Sequence, residues 1–249
     1  PQRRALQLRR DELGDDEEWT IASLNSLGSL LLDQGKTEEA EGVYLVALEA
    51  SRRVFEPTDS KIISVLNNYA RILGDLGRLE DAEQYYLEAL AASRVGLGED
   101  HPATLDLMNN LGMDYISTGR FEEAETLLRD SMDRHRAVYG EEHERTLNAI
   151  NNMGFVYGSQ GRFEETAPYQ IQALEGMRRV LGDEHPRTLG LVNNTGYVLT
   201  ELGRFEQAEP LTLEAMRGYR SKLGDAHPHT HTCYRNTVRM YALWHEADP

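Results

Sequence analysis

Residues 97–105 read L-G-E-D-H-P-A-T-L, and the pattern returns as Y-G-E-E-H-E-R-T-L at 139–147, L-G-D-E-H-P-R-T-L at 181–189 and L-G-D-A-H-P-H-T-H at 223–231. Successive copies are 42 residues apart. Two further steps towards the N-terminus reach Glu56 and Gly14, so nearly the whole chain is one repeated unit. Such a unit cannot bury its apolar face alone, and stacking on its neighbours gives an extended surface instead of a closed pocket.

Each repeat contains two segments with the apolar spacing of an α-helix. In the third repeat, the first segment has its stripe at Leu105, Met108, Leu111, Gly112 and Tyr115. Gly119 follows, as a residue that accepts the positive φ found just past a helix. The second segment has its stripe at Phe121, Ala124, Leu128, Ser131 and Met132. Because no segment alternates convincingly with period two, the sequence predicts an all-α protein.

Small residues recur in register in both predicted helices. One position of the first helix holds Gly28, Ala70, Gly112, Gly154 and Gly196, and one position of the second holds Ala40, Ala82, Ala124, Thr166 and Ala208. Small side chains at facing positions let two helices approach closely. A glycine followed by Arg or Lys, at Gly35, Gly77, Gly119, Gly161 and Gly203, predicts a tight turn between the two helices.

The order L-x-x-L-G-x-x-Y, then G-R-F-E-E-A-E, then A-L resembles the tetratricopeptide repeat. The 42-residue period, the D/E-x-H-P-x-T-L entry and the N-N-L-G motif are similar to the variant found in kinesin light chains. The resemblance covers nearly every residue. It implies an all-α, right-handed superhelical solenoid of antiparallel helix pairs whose first helices line a concave surface.

The repeat register predicts a single array over residues 1–249. Five full repeats would occupy 14–55, 56–97, 98–139, 140–181 and 182–223. Residues 1–13 match the end of a preceding repeat, and residues 224–249 match the first helix of a sixth. An array that starts within a repeat indicates a fragment of a longer protein.

Composition narrows the choice of partner and compartment. Acidic residues outnumber basic ones by 42 to 26, for a net charge of −16, whereas nucleic-acid binding needs a basic surface. No apolar stretch is long enough to span a membrane, and the N-terminus lacks a signal-peptide pattern. The single cysteine, Cys233, fits a reducing compartment. We therefore expect a cytoplasmic protein that binds neither nucleic acid nor membranes.

Two recurring features have simple structural interpretations. Arginines near the end of the second helix, at Arg52, Arg94, Arg136, Arg178 and Arg220, are expected to pair with acidic residues on the outer face. The histidines His101, His143, His185 and His227 are expected to pack at the loops between repeats.

No pattern in the chain indicates catalysis or a cofactor. The segment His227–Cys233, H-P-H-T-H-T-C, looks like a metal-ligand cluster. However, His227 is the repeat histidine, and the alternate residues diverge once a helix begins near Thr230. Phosphate-binding loops, nucleophile elbows and paired carboxylates do not stand out. The sequence predicts no enzyme, no metal and no cofactor.

An asparagine row is the main candidate for function. Asn25, Asn67, Asn109, Asn151 and Asn193 share one position of the first helix, which Arg235 takes in the last copy. The resemblance to kinesin light chains implies that this position faces the groove and holds a peptide backbone, since an amide both donates and accepts. The alternative is that these amides bridge to the neighbouring repeat. We expect that bridging role for the next row, Asn68, Asn110, Asn152, Asn194 and Asn236.

One helical turn further along the same face, the residues vary between repeats. They are Ser29, Arg71, Met113, Phe155, Tyr197 and Arg239, and the row one turn earlier is small and polar. Core positions of a repeat protein stay uniform, so variation at an inward-facing position suggests contact with ligand side chains. The alternative is that the aromatic residues pack against neighbouring helices.

Three functional hypotheses follow. The first is a protein–protein interaction module that binds an extended peptide in its concave groove, through Asn67, Asn109, Asn151, Asn193, Arg71, Met113, Phe155, Tyr197 and Arg239. The second is a structural scaffold, or an array that self-associates through exposed ends. The third is a regulatory sensor region of a larger multidomain protein.

Overall fold

In the computed structural model, which describes residues 17–247, every regular element is an α-helix. The all-α prediction is confirmed. The predicted half-repeat at 1–13 lies outside the described residues. The helices are α1 (Glu18–Asp33), α2 (Thr37–Val54), α3 (Ser60–Asp75), α4 (Leu79–Gly96), α5 (Pro102–Ser117), α6 (Phe121–Tyr139), α7 (Glu144–Gly158), α8 (Phe163–Leu181), α9 (Pro186–Glu201), α10 (Phe205–Leu223) and α11 (Pro228–Ala247).

The chain divides into two compact units between Leu127 and Leu128, within α6. In unit 1, α1 to α5 pack consecutively, each helix against the next, and α3 also touches α5. In unit 2, α7 to α11 pack in the same consecutive way, and α9 also touches α11. Odd-numbered helices are therefore the first helices of the repeats, and even-numbered helices are the second.

The repeat histidines begin the first helices. Each of His101, His143, His185 and His227 precedes a helix, and its Nδ1 accepts a hydrogen bond from the backbone N–H two residues on, at 3.1–3.3 Å. In the second repeat Asp59 has the same role, since its Oδ1 accepts from the Lys61 N–H at 2.8 Å. The expectation that the histidines lie at the inter-repeat loops is confirmed, and their function there is to cap a helix N-terminus.

The predicted Gly–Arg turns are also present. The five turn glycines have φ between 68° and 76°, a region that L side chains rarely adopt. In the second repeat the backbone N–H of Arg78 donates to the Leu73 carbonyl at 2.8 Å, which closes the turn after α3. This reversal brings α4 back along α3.

Small residues let the paired helices approach as predicted. A Cβ added to Gly28 would lie 2.2 Å from the ring of Tyr44, which is fully buried. The Tyr44 hydroxyl is held by the Ser29 hydroxyl at 2.8 Å and by the Asn25 carbonyl at 3.1 Å. The glycine therefore provides the space that a large side chain of the second helix fills.

The outer face carries the expected ion pairs. All five arginines of the recurring row pair with carboxylates, for example Arg52 with Glu88 at 2.7 Å and Arg220 with Asp225 at 2.9 Å. The side chains of these pairs lie at the surface, partly or largely exposed, so each pair contributes little to stability. None of the helices described over 17–247 is long and apolar enough to cross a membrane.

Candidate functional site

The second asparagine row bridges neighbouring repeats, as the sequence predicts. The Nδ2 of Asn68 donates to Asn25 Oδ1 at 3.0 Å, Asn110 to Asn67 at 2.9 Å, and Asn236 to Asn193 at 2.9 Å. Each bond joins the first helices of consecutive repeats. The side-chain oxygens of Asn25, Asn67 and Asn193 are therefore used within the repeats.

Two asparagines of the first row, Asn67 and Asn193, keep their amino groups for other partners. Within the described part of the chain, the Nδ2 atoms of Asn67 and Asn193 donate to no protein atom, and both side chains are half-buried. The two roles considered for this row are therefore compatible at Asn67 and Asn193, because Oδ1 serves the neighbouring repeat while Nδ2 stays available. Asn109 is likewise half-buried in unit 1.

One bridge of this series is missing in unit 2. Among the described residues, Asn194 makes no hydrogen bond to Asn151, and the Oδ1 of Asn151 is buried without any partner. A buried amide oxygen that lacks a donor costs about 1–3 kcal/mol. This open bridge lies between α7 and α9.

A pocket of about 360 Å³ lies beside the open bridge, within unit 2. It brings together three residues predicted from the sequence, Phe155, Asn193 and Tyr197. Phe163 packs edge-on against Tyr197, with ring centroids 6.0 Å apart. The other lining residues are Gly154, Gly158, Ser159, Thr166, Gln170, Asn194, Val198, Thr232 and Asn236. The lining contains no charged side chain.

Gln170, which the sequence analysis missed, contributes an unpartnered acceptor to this pocket. Its side chain is only 2% exposed, and its Oε1 has no hydrogen-bond donor. The corresponding residues of the first three repeats are Tyr44, Tyr86 and Leu128. The change from a large apolar side chain to an amide at one repeat position is the signal that identifies Gln170 from sequence.

The remaining predicted side chains of the variable row, Arg71, Met113 and Arg239, do not line this pocket. Arg71 and Met113 line a second pocket, of about 270 Å³, in unit 1. In the described residues Arg71 has no ion pair, whereas Arg239 makes a two-pronged pair with Glu201 at 2.6 and 3.0 Å. The guanidinium of Arg239 is thus already neutralised within unit 2.

Asp114 is the second residue that the sequence analysis missed. It lines the unit 1 pocket, is 6% exposed, and has an Oδ2 atom without a hydrogen-bond partner. Burial, with a smaller contribution from Glu83, raises the pKa of this carboxyl from 3.8 to about 6. The corresponding residues in other repeats are Leu30, Ile72, Val156, Val198 and Met240.

The histidine-rich segment at the start of α11 is used for capping and packing. His227 caps the helix, and His229 stacks on Tyr219 with ring centroids 5.3 Å apart. Cys233 is buried, and burial raises the pKa of its thiol to about 11. Over the described range, no three His, Cys, Asp or Glu side chains are arranged to hold a metal ion.

Comparison with known proteins agrees with this architecture. The tetratricopeptide repeat model matches residues 2–53, 61–137, 105–165 and 145–221. Among curated proteins, none matches the chain in sequence.

Several solved structures share the fold at low identity. The nearly identical tetratricopeptide-like repeats of a kinesin light chain-like protein from Podospora anserina align with a TM-score of 0.67 at 18% identity, over 81% of this chain and 95% of that one. BtubC from P. vanneervenii aligns with a TM-score of 0.69 at 23% identity, over 91% of this chain and 89% of that one. A Rap protein in complex with competence and sporulation factor aligns with a TM-score of 0.70 at 14% identity, over 94% of this chain and 67% of that one.

Proposed function

The chain belongs to the tetratricopeptide repeat family, and we propose that it is a protein–protein interaction module that binds an extended peptide in the groove predicted along its first helices. Proteins built from these repeats generally bind other proteins and act as non-catalytic scaffolds. The proposed contacts in unit 1 are Asn67, Asn109, Arg71 and Met113. Those in unit 2 are Asn151, Asn193, Phe155, Tyr197 and Arg239.

The observation that carries this proposal is the uncharged pocket beside Asn193. The Nδ2 of Asn193 is held in a fixed orientation, because Asn236 occupies the oxygen of the same amide. A fixed N–H donor at the edge of a pocket is suited to a backbone carbonyl of an extended peptide. Ordering the amide beforehand lowers the entropy cost of binding.

The pocket itself selects the chemistry of the ligand side chain. Phe155 and Tyr197 provide aromatic surface, which favours an apolar or aromatic stem. A charged group would remain unpaired there and would be strongly penalised. The unpartnered oxygen of Gln170 requires a donor, so the best occupant is a neutral side chain with an N–H or O–H group at its tip.

The variant Asn193→Asp tests the proposal without removing the bridge to Asn236. The new carboxylate still accepts from Asn236 Nδ2, but it no longer donates and it places a charge beside the pocket. Random peptides displayed on phage would be selected on the wild-type chain, and the affinity of enriched sequences would be measured for both proteins. We expect the variant to bind them at least about tenfold more weakly, equivalent to about 1.4 kcal/mol.

Gln172→Glu is the matched control, since Gln172 lies exposed on the second helix α8. It makes the same amide-to-carboxylate change and should bind the peptides like the wild type. Equal affinity of the wild type and Asn193→Asp would contradict the proposed site. A selection that enriches no peptide on the wild type would contradict peptide binding itself.

A further inference from the structure

Asp114 occupies a position that the architecture reserves for aliphatic side chains. The equivalent Ile72 and Val156 are fully buried, and Met240 is as well. A carboxylate in such a place is stabilised only if a cation or hydrogen-bond donors meet it. Oδ2 of Asp114 accepts no hydrogen bond in the described structure.

Arg120, whose charge acts on Asp114, does not neutralise it. The guanidinium of Arg120 bonds to Glu83 at 2.6 Å and to Glu123 at 2.8 Å, so its donors serve other carboxylates. Arg71 lines the same pocket but forms no ion pair with Asp114. The remaining charges near Asp114, on Glu83 and Asp75, are negative.

The space in front of Asp114 suits a long cationic side chain. The pocket has a volume of about 270 Å³ and is lined by α3, α4 and α5 of unit 1. Leu79 and Met113 offer apolar surface for an alkyl stem, and the ring of Tyr86 stands beside it. Lysine and arginine bury their stems in this manner while the charged head finds a polar partner.

We propose that this pocket is a cation-binding subsite in which Asp114 receives the ammonium or guanidinium group of a basic side chain. The carboxylates of Asp75 and Asp114 outnumber the single guanidinium of Arg71 in the lining, and the net charge of −16 attracts a basic segment. The peptide origin of the cation rests on the proposed function, whereas the cation preference of the pocket does not.

The first experiment uses n-butylammonium chloride and N-propylguanidinium chloride as probes, with sodium chloride at equal ionic strength as the reference. The Asp114 carboxyl carbon is followed by NMR through a pH titration of the full chain. A cation that binds only the carboxylate lowers its apparent pKa by about one unit when present at about ten times its Kd. We expect this saturable shift with one or both probes, and their comparison distinguishes a lysine-type from an arginine-type ligand.

Asp114→Asn and Glu80→Gln are the paired variants. The first keeps the shape of the side chain and removes its charge. The second removes one charge from an exposed position in the first turn of α4. Backbone amide shifts at the pocket should respond to the probes in the wild type and in Glu80→Gln, but not in Asp114→Asn. Responses that are equal in all three proteins, or no response beyond sodium chloride, would overturn the proposal.

A peptide selection on the same proteins separates this inference from the proposed function. Enriched peptides should carry a Lys or Arg whose contribution, at least about tenfold in affinity, disappears in Asp114→Asn. Peptides without such a basic residue, combined with inactive probes, would overturn the subsite and leave peptide binding intact. Active probes without any enriched peptide would support the subsite and contradict the proposed function.

Discussion

Replacing Asp114 by valine should stabilise the protein, and the gain should grow with pH. Valine fills the equivalent position in the fourth and fifth repeats, at Val156 and Val198, so the backbone there accepts it. The pKa of Asp114 rises from 3.8 to about 6 because burial disfavours the charged form. The folded protein therefore retains a proton that the unfolded chain has already released.

The sign and size of this pH dependence follow from the coupling between protonation of Asp114 and folding. Well below pH 3.8 the carboxyl is neutral in both states and imposes no electrostatic penalty. As the pH rises towards about 6, the unfolded state ionises first, and stability is lost. At 1.36 kcal/mol per pKa unit, the penalty is about 1 kcal/mol near pH 4.5 and about 3 kcal/mol near pH 7.5. The advantage of Asp114→Val should widen by about 2 kcal/mol between those two values.

Urea unfolding followed by circular dichroism, at both pH values, measures this difference. Other titrating groups are common to both proteins, so their contributions cancel when the unfolding free energies are subtracted. Asp114→Asn should show the same widening, because it also cannot ionise, while Glu80→Gln should follow the wild type. A stability gap that is independent of pH would refute the conclusion that a buried, ionisable carboxyl is present at this position.

Three further predictions concern the fold. His143→Ala should lower stability by about 1 kcal/mol in urea unfolding through loss of an N-cap, whereas His143→Asp should retain the wild-type value, because Asp59 already caps a helix in this way. Gly28→Ala should lower the unfolding free energy by about 1–3 kcal/mol in calorimetry, because the new Cβ would collide with the hydrogen-bonded Tyr44 ring. Its control is Gly42→Ala, whose Cβ meets no atom within 4 Å and which should stabilise α2 by up to about 1 kcal/mol. Gln170→Leu should raise the unfolding midpoint by removing an unpartnered buried acceptor, and an unchanged or lower midpoint would mean that this oxygen is satisfied in solution.

The helices and their turns could be predicted because each is specified several times over. The apolar spacing and the turn glycine recur in every full repeat, and a capping residue precedes the first helix in the second to fifth repeats, so an ambiguous copy is resolved by its neighbours. Tyr115 and Leu128, for instance, are buried as their repeat positions require. The ion pairs of the recurring arginines could be predicted for the same reason, because these arginines occupy one position in each repeat.

The candidate site was harder to predict because it depends on contacts between side chains. The asparagine rows were recognisable, yet sequence alone did not show that the oxygen of Asn193 serves Asn236 while its amino group stays free. Nor did it show that Glu201 neutralises Arg239, since the two residues are 38 positions apart. Asp114 and Gln170 were accessible from the sequence, because Asp114 interrupts an apolar row and Gln170 ends the run of large side chains that its position holds in the first three repeats.

In a repeat protein, the equivalent residues of the other repeats show what a position normally holds, and Asp114 and Gln170 both differ from them. Asp114 stands where the other repeats have aliphatic side chains or Met240, and Gln170 stands where the first three repeats have Tyr44, Tyr86 and Leu128. Glycines at one first-helix position line both pockets, Gly74 in unit 1 and Gly158 in unit 2, where the other repeats carry Leu32, Ile116 and Thr200. Each unit therefore combines an opening in the first helix with a buried polar group that lacks a partner. The opening and the polar group arise from separate substitutions, and a ligand that fills the one and satisfies the other accounts for both.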